Sequence, residues 1–162
     1  MHENSREVVM EALTPPLEVW RGLLRGQRSM LLRLAAHLKS GFDLTTAQYE
    51  ALLTVYENGG TVSAGELSRN LLYTSGSTTH LIARLEERGL LARDADPADA
   101  RRVRVSLTDA GHHLIVEATE AHVADIEREF SPLVTGADQD ALLRFARRLA
   151  EAEGVVSQPF PA

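Results

Sequence analysis

The run TSGSTTHLIARLEERGLL, from Thr74 to Leu91, is the stretch that decides the fold of this chain. Ser75 is a good N-cap and Gly89 is a good C-terminal stop, so the residues between them are predicted to form a helix. At about 100° per residue, one side of this helix is apolar and the other is polar. The first side carries Thr78, Leu81, Ile82 and Leu85, and the second carries Gly76, Thr79, His80, Ala83 and Arg84.

The polar side of this helix has small and hydroxyl side chains near its N-terminal end and a basic residue one turn later. Small side chains allow close approach to DNA, hydroxyls and an imidazole can bond to base edges, and the helix N-terminus favours phosphate. An ordinary amphipathic helix with a solvated polar side is the alternative. If the helix enters a groove of DNA, the candidate contact residues are Thr74, Ser75, Ser77, Thr79, His80 and Arg84.

The residues before this helix predict a second, shorter one. Ser63 and Glu66 have the spacing of a capping box, and Leu67 and Leu71 follow with helical spacing. We expect this helix to end where Tyr73 and Thr74 form a turn. Two helices joined by a tight turn make a helix-turn-helix.

The residues after Gly89 predict a β-hairpin. In LLARDADPADARRVRVSLT, Val103, Val105 and Leu107 alternate with polar residues, as in a half-buried strand, and residues 96–99 supply the turn. The hairpin carries arginines at and beyond its tip, which suits an adjacent minor groove or flanking phosphates. A solvated charged loop is the alternative for these arginines taken alone.

In this order, LTTAQYEALLTV, SAGELSRNLLYTSGSTTHLIARLEERGLLAR and DPADARRVRVSLTDAG resemble the MarR family of dimeric winged helix-turn-helix transcriptional regulators. The resemblance covers Leu44 to Gly111 and extends through the flanking helices. It implies a recognition helix at 74–88 and a wing at 93–107, where Asp99 orients Arg101 into the minor groove. Ala100 departs from the family, which usually has a second arginine there, and Arg102 could substitute. The implied wing contacts are Asp99, Arg101, Arg102 and Arg104.

The predicted fold is mainly α with a small β-wing, and a winged helix-turn-helix domain is flanked by dimerisation helices. The expected divisions are residues 1–40 for N-terminal dimerisation, 41–108 for DNA binding and 109–162 for C-terminal dimerisation. Further helices are expected at Asn4–Leu13, from Leu17 to about Ser40, after a capping box at Thr45–Gln48, at Asp109–Phe130 and after Thr135–Asp138; Thr61 and Val62 can add a third strand. The long helices carry apolar stripes broader than one chain can bury, which predicts a homodimer on a palindromic operator.

The first long helix is also basic, with no acid between Glu18 and Asp43. Its basic residues are Arg21, Arg25, Arg28, Arg33 and Lys39. A solvated face or pairing with an acidic helix is one interpretation. Attraction of an anionic effector or a flanking phosphate is the other.

Composition limits the class of protein. The 162 residues are 44% hydrophobic and carry a formal net charge of −6, yet the segment from Arg69 to Arg104 holds seven arginines and five acids, so it is +2 and the rest is −8. This asymmetry is expected if the middle of the chain faces phosphate. The absence of cysteine excludes disulfides and thiol chemistry. Without a long apolar run or a signal pattern, a cytoplasmic protein is expected.

No nucleophile elbow, phosphate loop or metal-ligand spacing is present, so neither an enzyme nor a cofactor or metal is expected. The resemblance implies a site for a small, often aromatic and anionic, effector between the dimer helices and the DNA-binding lobe. Trp20, Gln27, His37 and Tyr49 are its candidates by position. The predicted function is a homodimeric repressor that binds double-stranded DNA, not a membrane. The alternative is a helical interaction module whose winged helix docks protein.

Overall fold

The computed structural model describes residues 14–71, 78–96 and 102–152. The helices are α1 (Pro15–Phe42), α2 (Thr46–Glu57), α3 (Ala64–Asn70), α4 (Thr78–Glu87), α5 (Asp109–Phe130) and α6 (Gln139–Ala152), with a 3₁₀ turn at Ser131–Leu133. The strands are β1 (Thr61–Ser63), β2 (Leu91–Ala95) and β3 (Val103–Leu107). This order confirms a mainly helical fold with a small β-wing. The short helix expected at Asn4–Leu13 lies outside the described residues.

The first long helix extends two residues beyond its expected bounds at each end. Pro15 and Pro16 stand in its first turn, where a proline costs no hydrogen bond. Asp43 follows the helix with a left-handed φ of 53°, and the amide of Leu44 donates to the carbonyl oxygen of Leu38 at 3.2 Å. This closing turn leads the chain directly into α2.

Side-chain caps begin three of the helices where the sequence predicts them. The amide of Gln48 donates to Oγ1 of Thr45, and the amide of Glu66 donates to Oγ of Ser63, each within a complete capping box. Thr108 caps α5 by accepting from the amide of Gly111. The helix α3 ends at Asn70, earlier than predicted, because Leu71 is extended and buried. The expected turn at residues 73–74 lies outside the described residues.

The three strands form an antiparallel sheet in the order β1, β3, β2. Val62 and Arg93 flank Val105 on the central strand, so the short strand at Thr61 is confirmed. Val105 is buried, but Val103 is 44% exposed. The strict alternation predicted for β3 is therefore wrong at Val103, where the strand has moved beyond the helical core toward the tip of the wing.

One hydrophobic core joins the winged helix to both long helices. Its members include Leu38 from α1, Leu52 from α2, Leu85 from α4, Val105 from β3 and Ile115 from α5. Side chains this deeply buried are packed at crystal-like density, so the elements that contribute them move together. The helix α4, which carries the candidates Thr79, His80 and Arg84, is thus packed against the ends of α1 and α5.

Gly111 marks the closest approach between α5 and the turn that follows α4. A Cβ at this position would lie 2.0 Å from the carbonyl oxygen of Leu90. The same oxygen accepts from the amide of Thr108 at 3.2 Å, and Oγ1 of Thr108 donates to the carbonyl oxygen of Gly89 at 2.6 Å. The start of α5 is therefore fixed on the end of the predicted recognition helix. In the described ranges, no helix has the length and apolar character needed to cross a membrane.

Candidate nucleic-acid interface

The helix α4 is anchored by its apolar side and at both of its described ends. Ile82 and Leu85 are buried in the core. Oγ1 of Thr78 donates to Oγ of Ser68 at 3.2 Å, which joins α4 to α3. At the other end Gly89 has a φ of 70°, and the amide of Leu90 donates to the carbonyl oxygen of Leu85 at 2.9 Å. This is the glycine-closed C-terminus that the sequence predicts.

The outer side of α4 presents three of the predicted DNA contacts to solvent. Thr79, His80 and Arg84 are all exposed. Within the part of the chain that the structure describes, none of their side chains has a hydrogen-bond or ion-pair partner, so each is available to a ligand. Thr74, Ser75 and Ser77 lie outside the described residues and remain predictions.

Two other arginines near α4 are instead engaged within the protein. Nη1 of Arg88 donates to the carbonyl oxygen of Asp43 at 2.9 Å. Nε of Arg93, on β2, donates to Oε2 of Glu86 at 2.8 Å. The second contact neutralises an acid of α4 that would otherwise repel phosphate. Neither contact was predictable from the sequence, since the partners lie on different elements.

Besides Arg93, the wing carries two described arginines. Arg102 is exposed at the start of the returning strand, where its carbonyl oxygen accepts from the amide of Asp96 at 2.9 Å. Arg104 is half-buried on β3, opposite Asp94. A hydrogen bond from the Ser63 hydroxyl lowers the pKa of Glu66, with smaller contributions from the charges of Arg69 and Arg102. Asp99 and Arg101 lie outside the described residues and remain predictions.

Behind this interface, α1, α2 and α5 meet at a polar junction. The hydroxyl of Tyr49 donates to Oγ1 of Thr119 at 3.4 Å, and its ring lies 4.9 Å from that of His122. Tyr49 is buried, and burial raises the pKa of its hydroxyl. Burial also lowers the pKa of His122, with a smaller lowering from His37 and an opposing effect from Asp125.

The basic side of α1 meets acids of α5 at the same junction. Nδ1 of His37 lies 3.0 Å from Oδ2 of Asp125 and 3.9 Å from Oε1 of Glu129. Nε of Arg33 donates to Oε2 of Glu129 at 2.6 Å. Pairing with an acidic helix is therefore the interpretation that holds for Arg33, whereas Lys39 pairs with Asp43 at the end of its own helix. Arg21, Arg25 and Arg28 have no such partner among residues 14–71, 78–96 and 102–152.

The four residues proposed for an effector site do not form one cluster within a chain. His37 and Tyr49 both border the polar junction, through Asp125 and Thr119 respectively. Trp20 precedes His37 by about 25 Å along the axis of α1. Trp20 and Gln27 are both exposed. Only a second copy of the chain could bring them to such a site, so their role stays a prediction.

The half-buried histidine at the junction, His122, predicts a pH dependence of folding. Because burial lowers the pKa of His122 in the folded protein, the unfolded chain binds more protons below about pH 6.5. The free energy of unfolding should therefore fall more steeply on acidification in the wild type than in His122→Gln. Urea unfolding at pH 7.5 and 5.5 measures the difference. His80→Gln controls for loss of an exposed histidine, and equal slopes for wild type and His122→Gln would contradict the prediction.

Comparison with known proteins places this geometry in a family. Residues 42–102, which span the winged helix from the end of α1 to the start of the returning strand, match the sequence profile of the MarR family. The transcriptional regulator HosA of Escherichia coli O111:H- is 30% identical over 111 residues, which cover 68% of this chain and 80% of HosA. The chain belongs to the MarR family. It is a winged helix-turn-helix transcriptional regulator, as the resemblance of its motifs implied.

Solved structures of MarR-type regulators share the fold. Sco3205 of Streptomyces coelicolor, a MarR family transcriptional regulator in complex with DNA, superposes with a TM-score of 0.75 at 24% identity, covering 88% of this chain and 90% of Sco3205. The organohalide sensing regulator RdhR-CbdbA1625, in its 2,4-dichlorophenol bound form, gives a TM-score of 0.76 at 19% identity, covering 94% of each chain. At these identities the similarity establishes the MarR fold.

Proposed function

We propose that this MarR-family regulator is a cytoplasmic, homodimeric repressor that binds a palindromic operator and is released by a small aromatic, anionic effector. In this proposal residues 41–108 bind DNA, and residues 1–40 and 109–162 form the dimer. The observation that carries it is the outer side of α4, where Thr79, His80 and Arg84 are exposed and unpaired within the described ranges while the opposite side is buried. A helix anchored in this way can enter a major groove without rearrangement.

Charge supports DNA as the ligand of this surface. The pairing of Arg93 with Glu86 leaves Arg84 as the charge that faces outward from the middle of α4. Arg102 is exposed on the wing, and the sequence places Arg101 next to it. Arginines of this kind suit phosphates and a narrow minor groove, so the wing would add affinity while α4 adds sequence preference.

The dimer is supported by apolar surface that the chain does not cover. On α1, Trp20, Leu23 and Leu24 continue the stripe whose later members, Leu34 and Leu38, are buried, yet the three are 41–55% exposed. On α6, Leu142, Leu143 and Leu149 are 43–46% exposed. Exposed apolar side chains repeated along one side of a helix in this way favour an interface with another protein. A second copy fits because a twofold dimer presents two α4 helices to a palindrome.

The polar junction supports the effector part of the proposal. It lies where α1 and α5 meet the winged helix, and it combines the Tyr49 and His122 rings with the guanidinium of Arg33 and the imidazole of His37. The related fold of RdhR-CbdbA1625 was solved with a bound chlorophenol. An aromatic acid bound beside these groups would compete with Glu129 for the guanidinium of Arg33. It would release DNA only by binding a different dimer arrangement more tightly.

The DNA-binding proposal is tested with sheared genomic DNA from the source organism. The immobilised wild-type chain should retain a few fragments at low salt and release them at high salt, because phosphate contacts displace counterions. Sequencing the fragments gives the half-site. A chain that stays monomeric and retains no duplex above background would contradict the proposal, and capture of a protein in place of DNA would favour an interaction module.

His80→Ala should relax sequence preference more than it weakens general affinity. Loss of one base contact by an exposed imidazole predicts about fivefold weaker binding to the selected duplex, equivalent to about 1 kcal/mol, with binding to random duplex unchanged. Fluorescence anisotropy with both duplexes measures the two affinities. His113→Ala, at an exposed position on α5, is the matched control. Equal losses on both duplexes would mean that His80 does not contact bases.

A further inference from the structure

The side chain of Arg88 links the last turn of α4 to the carbonyl end of α1. Its Nη1 donates to the carbonyl oxygen of Asp43 at 2.9 Å, and its Nη2 donates to that of Phe42 at 3.4 Å. The last carbonyl groups of a helix have no partner within it and carry partial negative charge. A planar cation with several donors fits this position, and it joins two helices that are 45 residues apart in the sequence.

The contact is reinforced from the α1 side. Asp43 has a left-handed backbone, its amide donates to the carbonyl oxygen of Lys39 at 3.1 Å, and its carboxylate pairs with the Lys39 ammonium. The hydrogen bond from Lys39 and its charge, with a smaller contribution from Arg88, lower the pKa of Asp43. The carboxylate of Asp43 lies 3.9 Å from Nη2 of Arg88. The turn that carries the carbonyl acceptors is therefore stabilised by contacts that do not involve Arg88.

The position of Arg88 separates it from the DNA-contacting end of α4. Thr79 and Arg88 are nine residues apart, about 13 Å along the helix. The side chain of Arg88 is 30% exposed and points toward α1. A phosphate contact would require it to leave both carbonyl groups.

We propose that Arg88 is a positioning residue that fixes the direction of α4 relative to α1 and thereby sets the half-site spacing that the dimer selects. The inference rests on the proposed function. In a dimer, the distance and angle between the two α4 helices depend on how each α4 is held against the helices that join the subunits. Adding or removing one base pair between the half-sites shifts one half-site relative to the other by about 3.4 Å along the DNA axis and rotates it by about 35°. If α4 is fixed relative to α1, the dimer should bind DNA of altered spacing more weakly. If α4 can tilt, the loss of affinity should be smaller.

The test uses three duplexes: the palindrome selected by the wild-type chain, and the same palindrome with its centre one base pair longer or shorter. We expect the wild type to disfavour each altered spacing by about tenfold, and Arg88→Ala to reduce that preference below about threefold with an unchanged salt slope. Arg88→Lys, which keeps the charge but loses the fork of donors, should be intermediate. Asp43→Asn keeps both carbonyl acceptors and tolerates the left-handed backbone, so it should retain most of the preference.

Three results of the DNA-binding test would overturn the proposal. An equal loss on all three duplexes with a shallower salt slope makes Arg88 a phosphate contact. An equal loss with an unchanged slope and a lower Tm makes it a structural residue only. Unchanged spacing preference removes its role altogether. Amide hydrogen exchange needs no DNA, so it tests the role of Arg88 even if the proposed function is wrong. Arg88→Ala should lower protection at both Asp43–Leu44 and Arg88–Leu90. Unchanged protection would also overturn the proposal.

Discussion

Gly111→Ala is expected to lower the free energy of unfolding by about 3 kcal/mol, the upper end of the range for overpacked cores. The new methyl carbon would meet the carbonyl oxygen of Leu90 at 2.0 Å and the carbonyl carbon of the same residue at 2.9 Å. Both are backbone atoms, so no side-chain rotation relieves the contact. The start of α5 must shift, and the hydrogen bonds from Thr108 to Gly89 and Leu90 must lengthen.

Thermal unfolding measures this loss, which corresponds to a Tm about 10 °C lower for a chain of this size. Gly41→Ala is the matched control, because a Cβ at Gly41 in the last turn of α1 meets nothing within 4 Å. The control should be neutral or more stable by up to about 1 kcal/mol, since alanine is the better helix former. Similar Tm values for the two variants would mean that α5 does not approach the turn after α4 as closely as described.

If the chain forms the proposed dimer, Leu23→Glu is expected to convert it to monomers and to weaken binding to the proposed operator by at least about 100-fold, because two linked half-site contacts become one. Leu23 lies 11 residues, about three turns, before Leu34, so both face the same side of α1. Leu34 is 6% exposed in the described structure, whereas Leu23 is 41% exposed. A carboxylate at Leu23 would be solvated in a monomer and buried without a partner in the dimer.

Sedimentation velocity measures the association state, and circular dichroism verifies that the variant stays folded. Leu32→Glu is the matched control: Leu32 is nine residues from Leu23, on the opposite side of α1, and is 64% exposed. It should remain dimeric and bind DNA as the wild type does. Dissociation of both variants, or of neither, would contradict the assignment of the interface to the Leu23 side.

The parts of this fold that local chemistry determines were predictable from the sequence. Thr45, Ser63 and Thr108 each cap the helix that follows, with a partner three residues later. Gly89 closes α4 because the left-handed backbone there favours glycine. The family motifs then gave the order of helix, turn, helix and wing, and the same local periodicity identified Thr79, His80 and Arg84 as the outer side of α4.

The contacts between distant residues were not predictable in this way. Arg88 and Arg93 contribute equally to the basic character of the sequence, but the structure engages both within the protein. The basic side of α1 had two open interpretations, and for Arg33 the structure decides between them because Glu129 of α5 lies beside it. The partners of each charged side chain depend on how the helices pack, and the spacing of residues along one helix does not determine that packing.

The continuity of the core from Leu38 to Ile115 has a mechanical consequence. With no break between the 28-residue α1 and the winged helix, the two behave as a stiff lever about 42 Å long. In the proposed dimer, a tilt of about 5° where two such levers cross would carry the far end by about 4 Å, slightly more than the rise of one base pair. A compound that alters the crossing angle by a few degrees could thus move the chain out of register with DNA without deforming any domain.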